Sequence, residues 1–533
     1  MKIVVAEKIS QSAIDLLRQE SDWNIVTPEQ IAGNLPAQLK TADALIVRSA
    51  VKADAALLEH AQKLRVIGRA GVGVDNVDLD AATRKGIAVM NTPGANAVAV
   101  AEHTLGLMLC MARYIPRADS MMHVAKWEKK SLQGTELRGK TLGVIGFGRI
   151  GIEVAKRAQA FGMKVIAHDP FISAAVVAEM NVTLTSVDEV FAKSDYISLH
   201  LGLTPQTEGM INAKNIAKMK KGARLVNCAR GELVDETAVA QALISGHLGG
   251  AALDVFQQEP PTADSPLMQV PNLIMTPHIA GSTFEAQEAV GVQIAQQVKE
   301  YLKRGVIQNA VNVPSVSAEE YAEMYPYIVL AERMGSFVAQ ASSHHLQEIA
   351  LSYGGRLAQW KTDLVRNAAV AGVLNQMLAE KANLVNAASV AESRGIRVAE
   401  DTHAGSRNGG PSDVLTITLK TDADEHLVRG TVLHGNSPRL LNIDGIDIES
   451  RLEHNLIFLR NRDVPGVIGQ VGTILARHGI NIANFSLGRT ESDGINEVRW
   501  AVSVVRVDSP VPEPVLAELR GIEAITMAKA IVV

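Results

Sequence analysis

Three stretches of this 533-residue sequence carry side chains suited to moving a proton while gripping an anion. Residues 227–231 read NCARG and supply Arg230, residues 254–261 read DVFQQEPP and supply Glu259, and residues 276–281 read TPHIAG and supply His278. An imidazole titrates near neutrality, which suits His278 as a general base. Glu259 can hydrogen-bond the other ring nitrogen, fixing the ring and stabilising the imidazolium that forms. Arg230 has a planar fork of donors that can hold a carboxylate and polarise a developing carbonyl. Oxidation of an alcohol to a ketone needs such a set, because the hydroxyl proton must leave as the hydride does. Singly, each residue has a plainer reading: a structural histidine, a solvated loop acid, a surface ion-pair partner. Their joint placement after three successive strand patterns (224–226, 251–253 and 273–275) outweighs it. Residues at the carboxyl ends of strands in an open parallel sheet line the ligand crevice.

A place for the hydride acceptor precedes them. Gly146-Phe147-Gly148-Arg149-Ile150-Gly151 follows the strand pattern 141–145 and opens a helix expected over 150–161. A second strand pattern ends in Asp169, 18 residues past the last glycine (169 − 151). A GxGxxG alone is weak, but between strand and helix with that acid it is a dinucleotide fingerprint. Gly146 permits the tight turn, Gly148 lets backbone approach a pyrophosphate, and Gly151 lets helix lie close to strand. The helix start offers free N–H groups and partial positive charge to phosphates. Asp169 can accept from both adenosine ribose hydroxyls and would repel a 2′-phosphate, which favours NAD over NADP.

The elements that must position these residues alternate strand and helix patterns, twice over. Residues 2–7, 44–50, 64–71 and 87–94 read as strands of parallel βαβ units, and a second such series runs from Lys140 to Gly281. An apolar helix spans 98–114, a helix follows at 283–303, and 311–315 (VNVPS) reads as a linker. After Val316 the character changes. Helices are expected at 325–341 and 358–375, consecutive strands at DVLTITLKT, HLVRGTVLHG and RLLNIDGIDIES, and a polar glycine-rich loop at 400–411. From Asn455 onward, with a strand at 495–507 among its elements, a β–α–β–β–α–β order fits, which is ferredoxin-like.

Composition bounds the partners. At ~150 residues per domain the length suggests three or four domains. The net charge is −5, which argues against nucleic acid or an anionic membrane as a partner. Only Cys110 and Cys228 are present, too few for a disulfide framework or a zinc cage and suited to a reducing compartment. The N-terminal MKIVVAEKIS holds no signal-peptide core. Residues 98–115 carry Glu102, His103 and Arg113 and read as a buried helix, not a membrane span. A soluble, cytoplasmic protein without a metal is expected.

These motifs resemble the D-isomer-specific 2-hydroxyacid dehydrogenases. The resemblance covers about residues 1–313 and rests on the turn at 142–151, NCARGELVDE (227–236), ALDVFQQEPP (252–261), TPHIAGST (276–283), GRAGVGVDNVD (68–78) and NTPGANAVAVAEHTLGLML (91–109). It implies Arg230, Glu259 and His278 as catalytic. It implies cofactor contacts from Arg149, Ile150, Asp169, Cys228, Arg230, Asp254, His278 and Gly281, beside the three glycines. It also implies a flavodoxin-like split substrate domain (1–98 with 283–313) around a Rossmann-type NAD domain (99–282). Arg48 and Arg69, at strand ends of the first lobe, would bind a substrate phosphate or carboxylate together with Arg230 and His278. Lys129 or Lys130 would add charge from a neighbouring subunit. One departure is visible: after His200 the family usually shows a proline-containing run, where this sequence has Leu201 and Gly202.

The last ~80 residues (455–533) resemble an ACT domain, a ligand-sensing module, through the run from Asn461 to Gly469 and Ile480-Asn481-Ile482-Ala483. Asn461, Asp463 and Asn481 would hold an amino-acid effector, L-serine, at a subunit interface, unless Asp463 merely caps a helix. Residues 316–452 resemble an α+β intervening allosteric domain. The reaction implied is oxidation of 3-phospho-D-glycerate by NAD to 3-phosphooxypyruvate, at the start of L-serine biosynthesis, by a homotetramer or dimer. Reduction of 2-oxoglutarate to 2-hydroxyglutarate is implied besides. The rivals are a D-2-hydroxyacid dehydrogenase for glyoxylate or hydroxypyruvate, and a non-enzymatic NAD-sensing corepressor.

Overall fold

The computed structural model describes residues 1–31, 33–314, 316–342, 345–378, 381–403, 413–490 and 499–533. Its first sheet has the order β2-β1-β3-β4-β5, built from β1 (Lys2–Val5), β2 (Asn24–Val26), β3 (Ala44–Val47), β4 (Val66–Arg69) and β5 (Ala88–Met90). All pairings are parallel, in the flavodoxin-like order. The strands are short runs of Val, Ile, Leu and Ala that are buried on both faces, as a sheet covered by crossover helices requires. Helix Phe284–Arg304 returns to cover this sheet with Ile294, Ala295 and Val298. A Cβ on Gly68 of β4 would stand 2.8 Å from Ile294 Cγ1, so glycine lets that helix lie close. The expected linker is partly structured. Ala310 bridges Met90, the Val311 N–H donates to Val89 O at 2.8 Å, and the Asn312 side chain bonds the backbone of Val89 and Ile87.

The second sheet comprises β6 (Thr141–Ile145), β7 (Lys164–His168), β8 (Thr183–Leu184), β9 (Tyr196–Leu199), β10 (Ala223–Asn227), β11 (Leu248–Leu253) and β12 (Leu273–Met275), all parallel. The order β12-β11-β10-β9-β6-β7-β8 is doubly wound, and its direction reverses between β6 and β9. Ligand crevices open at such a switch point. Helix Ala97–Arg113 packs here and bends by 65° at Tyr114 (φ +54°) into helix Ile115–His123. Among the described residues no single helix is long and apolar enough to cross a membrane.

The third sheet is mixed, β14-β13-β15-β16-β17-β18, with β13 (Leu346–Gly354) parallel to β14 (Arg397–His403). The rest, β15 (Leu415–Thr421), β16 (Glu425–Leu433), β17 (Ser437–Ile443) and β18 (Ile446–Ser450), are antiparallel. Two expectations change here. The segment 439–450 is a hairpin rather than one strand, because Asp444 and Gly445 both take positive φ (+49° and +86°), as a tight primed turn demands. Of the expected loop 400–411, residues 400–403 belong to β14 and 404–411 lie outside the described residues. Helices Ala318–Ala341 and Asp363–Met377 cross where Gly335 and Gly372 remove side chains: a Cβ at either would meet a backbone oxygen of the other helix at 2.3 and 2.1 Å.

The last sheet, β20-β21-β19-β22, is antiparallel and contains β19 (Asn455–Arg462), β20 (Ile482–Arg489), β21 (Trp500–Val507) and β22 (Ile525–Val532). With helices Val467–Arg477 and Glu513–Arg520 it is the ferredoxin-like arrangement. Positions 495–498 of the expected third strand lie outside the described residues. One hydrophobic core runs from the first sheet (Ile3, Ile46) and its covering helix (Ile294) through both crossing helices to Leu456, Phe458 and Ile531 of the last sheet. The second sheet keeps cores of its own.

Candidate active site

The glycine turn joins β6 to helix Arg149–Ala160. Gly146 has φ +91°, and a Cβ there would lie 2.4 Å from His200 O. A Cβ on Gly151 would lie 2.3 Å from Gly146 O, so only glycine permits this helix approach. At Gly148 nothing lies within 4 Å, which leaves the room a pyrophosphate needs. Gly148 is also the helix N-cap and no side chain caps it, so the first N–H groups are available to phosphate. Asp169 stands just past β7 and accepts from the Phe147 and Phe171 N–H groups at 2.8 Å, one on each oxygen. Each oxygen keeps a second lone pair for a ribose hydroxyl. The donor set therefore fits an NAD.

Arg149 reaches across to Pro93 O and passes over Gly94. Ile150 is half-buried in the core beneath the turn. Cys228 is buried, and burial pushes its thiol up to about 12, so it packs as a small apolar group. Leu201 leans on the glycine turn, its Cδ2 3.0 Å from the Cβ position of Gly146. The neighbouring His200 bonds Ser198, and burial drives its imidazole down to about 3, which keeps it neutral.

Strands β10, β11 and β12 end side by side, with Asn227, Leu253 and Met275 in register. Arg230, Glu259 and His278 leave from these three ends. His278 Nδ1 lies 2.7 Å from Glu259 Oε2, and Glu259 Oε1 accepts from the Phe256 N–H at 3.1 Å. Nε2 is left as the proton-handling atom. His278 itself has φ +52°, uncommon for a residue with a Cβ and costing of order 1–3 kcal/mol. Asp254 supports it. Its backbone oxygen accepts from the His278 N–H, and its fully buried carboxylate accepts from Ile279 N–H, Ala280 N–H and Thr276 Oγ1. Burial alone would raise this carboxyl, yet His103, Thr276 and the two amides hold it below its ordinary value. Asp254, expected at the cofactor, also fastens the histidine loop. Gly281 ends that loop against Asn96, where a Cβ would meet Nδ2 at 3.0 Å.

Arg230 is placed by Asn227, which accepts from the Ala229 N–H and donates to Arg230 O. Its guanidinium crosses to the first lobe, Nε donating to Asp75 Oδ2 at 2.9 Å. Arg69 ends β4 with a buried Nε that has no partner, an atom awaiting an acceptor. Burial first, then the nearby Arg230, lowers the Arg69 guanidinium from its ordinary value, with Arg48 adding to the effect. Three guanidiniums thus converge from two lobes. Glu7 shapes the Arg48 turn by accepting from the N–H groups of Arg48, Ala50 and Val51. Sequence reasoning missed Asp75, Glu7, His103 and Thr276. The lysines lie elsewhere in this chain, with the Lys129 ammonium 5.3 Å from the centre of the exposed Trp127 ring.

The ACT-like module holds a cavity of about 310 Å³ lined by Asn461, Asp463, Phe485 and Arg489 among others. Asn461 is buried and Asp463 lies 3.7 Å from Arg489. Asp463 does not cap the helix; Gly466 does, with φ +94°. Asn481 is not in this cavity and donates to Asp508 at 2.7 Å.

Residues 105–280 match the model of the D-isomer specific 2-hydroxyacid dehydrogenase NAD binding domain, 323–444 that of the D-3-phosphoglycerate dehydrogenase intervening domain, and 455–524 that of the ACT domain. The D-3-phosphoglycerate dehydrogenase of Methanocaldococcus jannaschii is 41% identical, with 98% of each chain covered. That of Bacillus subtilis is 37% identical, with 99% of each covered. A solved D-lactate dehydrogenase from Aquifex aeolicus with NAD and lactic acid is 31% identical at TM-score 0.53, covering 59% of this chain and all of its own. A formate dehydrogenase from Staphylococcus aureus in complex with NAD is 29% identical at TM-score 0.53, covering 59% of this chain and all of its own.

Proposed function

The chain belongs to the D-3-phosphoglycerate dehydrogenases, and from that membership we propose how its cleft works. It is an NAD-dependent oxidoreductase of the D-2-hydroxyacid dehydrogenase family, oxidising 3-phospho-D-glycerate to 3-phosphooxypyruvate on the way to L-serine. NAD, when bound, supplies the hydride acceptor. His278 Nε2 takes the hydroxyl proton. Glu259 accepts from Nδ1, which fixes the tautomer and offsets the imidazolium charge. Arg230 holds the substrate carboxylate and polarises the oxygen that becomes a carbonyl. Arg48 and Arg69 take the phosphate, and a distal carboxylate such as that of 2-oxoglutarate suits the same pair. In the reverse direction His278 returns its proton.

The observation that carries this is the 2.7 Å pairing of His278 with Glu259 on strand ends adjacent to Arg230. Steady-state reduction of phosphooxypyruvate, followed by NADH absorbance, tests it. His278→Ala is expected to lose ~10²–10⁴-fold in rate while still binding NADH. Equal rates for the two proteins would refute the assignment.

The regulatory half takes an amino-acid effector, and L-serine fits. Asp463 pairs with an ammonium and Asn461 with a carboxylate in the ACT cavity. Asn481, elsewhere on the module, completes the site when a second copy meets it. Assembly as a homotetramer or dimer goes with this and with the exposed Ile115, Met122, Val124 and Trp127. Two free cysteines go with a reducing cytoplasm. Rates with and without L-serine test the effector.

A further inference from the structure

Arg230, which the reaction needs for a substrate carboxylate, already holds one. Its Nε donates to Asp75 Oδ2 at 2.9 Å, and Nη1 donates to Ala229 O at 2.6 Å. A Cβ on Gly73 would lie 1.7 Å from Nη2 and 2.8 Å from Asp75 Oδ2, so both groups crowd over bare glycine backbone. The Nε/Nη2 side of the fork, able to grip a carboxylate with two donors, is therefore taken. The charges around it explain why. Arg48, Arg69 and Arg230 repel one another, and Asp75 and Glu7 are the acids that oppose this at Arg69. Glu7 is committed to three backbone N–H groups, which leaves Asp75 as the mobile counter-charge. Its side chain is 60% exposed, against 26% for Arg230, so it can swing toward water without breaking a packed contact.

We propose that Asp75 is a resident stand-in for the substrate carboxylate: it neutralises the arginine cluster between turnovers and yields Arg230 when substrate arrives. Asp75 touches no reacting atom. It sets affinity, because each binding event must displace it. The inference rests on Arg230 as the carboxylate anchor. An ion pair this exposed is screened, so its removal alters affinity by about twofold to fivefold.

The test compares Asp75→Asn, Asp75→Ser and Asp75→Glu with Arg230→Ala, each first checked for NADH binding. The readouts are KM and kcat for phosphooxypyruvate and the competitive inhibition constant of inorganic phosphate. Asp75→Asn and Asp75→Ser are expected to lower KM and tighten phosphate inhibition about twofold to fivefold, with the gain fading in high salt. Asp75→Glu is expected to stay near the parent. A rise in KM with a matching fall in kcat in the uncharged variants would mean that Asp75 holds Arg230 in place, and overturns the proposal. Unchanged KM in them does the same, provided Arg230→Ala raises KM. If Arg230→Ala leaves KM alone, the anchor itself is misassigned, whatever Asp75 does.

Discussion

Replacing Glu259 by glutamine separates two jobs that one carboxylate performs. The Nδ1 to Oε2 distance is 2.7 Å, and the side chains are 51% (His278) and 38% (Glu259) exposed. Two unit charges at that separation attract by about 1.5 kcal/mol in bulk water and about 6 kcal/mol at an effective dielectric of 20. Half-exposure places the pair near the lower figure, and hydrogen bonds to charged groups contribute ~1.5–3 kcal/mol. The attraction exists only once His278 carries the proton, so its loss falls on the barrier. At 1.36 kcal/mol per decade, Glu259→Gln should lower kcat by about 10- to 150-fold. The glutamine oxygen still accepts from Nδ1–H, so ring orientation survives and NADH affinity should not change. Steady-state kcat by NADH absorbance, beside a fluorescence titration of NADH, measures both. A kcat within twofold of the parent would show that the acid does not stabilise the imidazolium. A kcat as low as that of His278→Ala would show that the glutamine does not preserve the ring orientation.

Other outcomes follow from the same contacts. Gly148→Ala should keep the melting temperature, since its Cβ meets nothing, but weaken NADH in a titration; Gly151→Ala, 2.3 Å from Gly146 O, should lose both. Asp254→Asn sets an amide against two N–H donors and should cost about 1.5–3 kcal/mol in chemical denaturation, with a lower kcat from a loosened His278 loop. His426 is raised above its ordinary value by its hydrogen bond to Asp444, burial opposing. Its stabilising contribution is therefore whole below the imidazole's unfolded value, ~6.5, and is lost as pH climbs through the higher folded value. Melting temperatures between pH 6 and pH 8.5 should fall more steeply in the parent than in His426→Gln; identical slopes would contradict this.

The nucleotide-binding half was legible because local signals agreed: β-branched runs, a glycine turn between strand and helix, and reactive residues after strand ends. The elements missed are those without such a signal. Strands β2 and β8 have three and two residues. Strand β13 (LQEIALSYG) mixes charge with apolar residues, and β14 ends in the polar run 400–403, which reads as the start of a loop. The pairing of Arg230 with Asp75 spans 155 positions, and no spacing rule reaches that far. Asp254 follows β11, where a strand end marks the crevice, but its bonds to the Ile279 and Ala280 N–H groups on the loop that bears His278 carry no mark in the sequence.

The shared core that unites the first sheet, the crossing helices and the last sheet has a mechanical corollary. Those three regions share one apolar interior, and the dinucleotide lobe, with interiors of its own, is tied to them by the chain at 91–97 and 280–284 and by the reach of Arg149 to Pro93 O and of Arg230 to Asp75. Arg48 and Arg69, at the ends of β3 and β4, therefore sit on the body that includes the last sheet, while the glycine turn and His278 sit on the other.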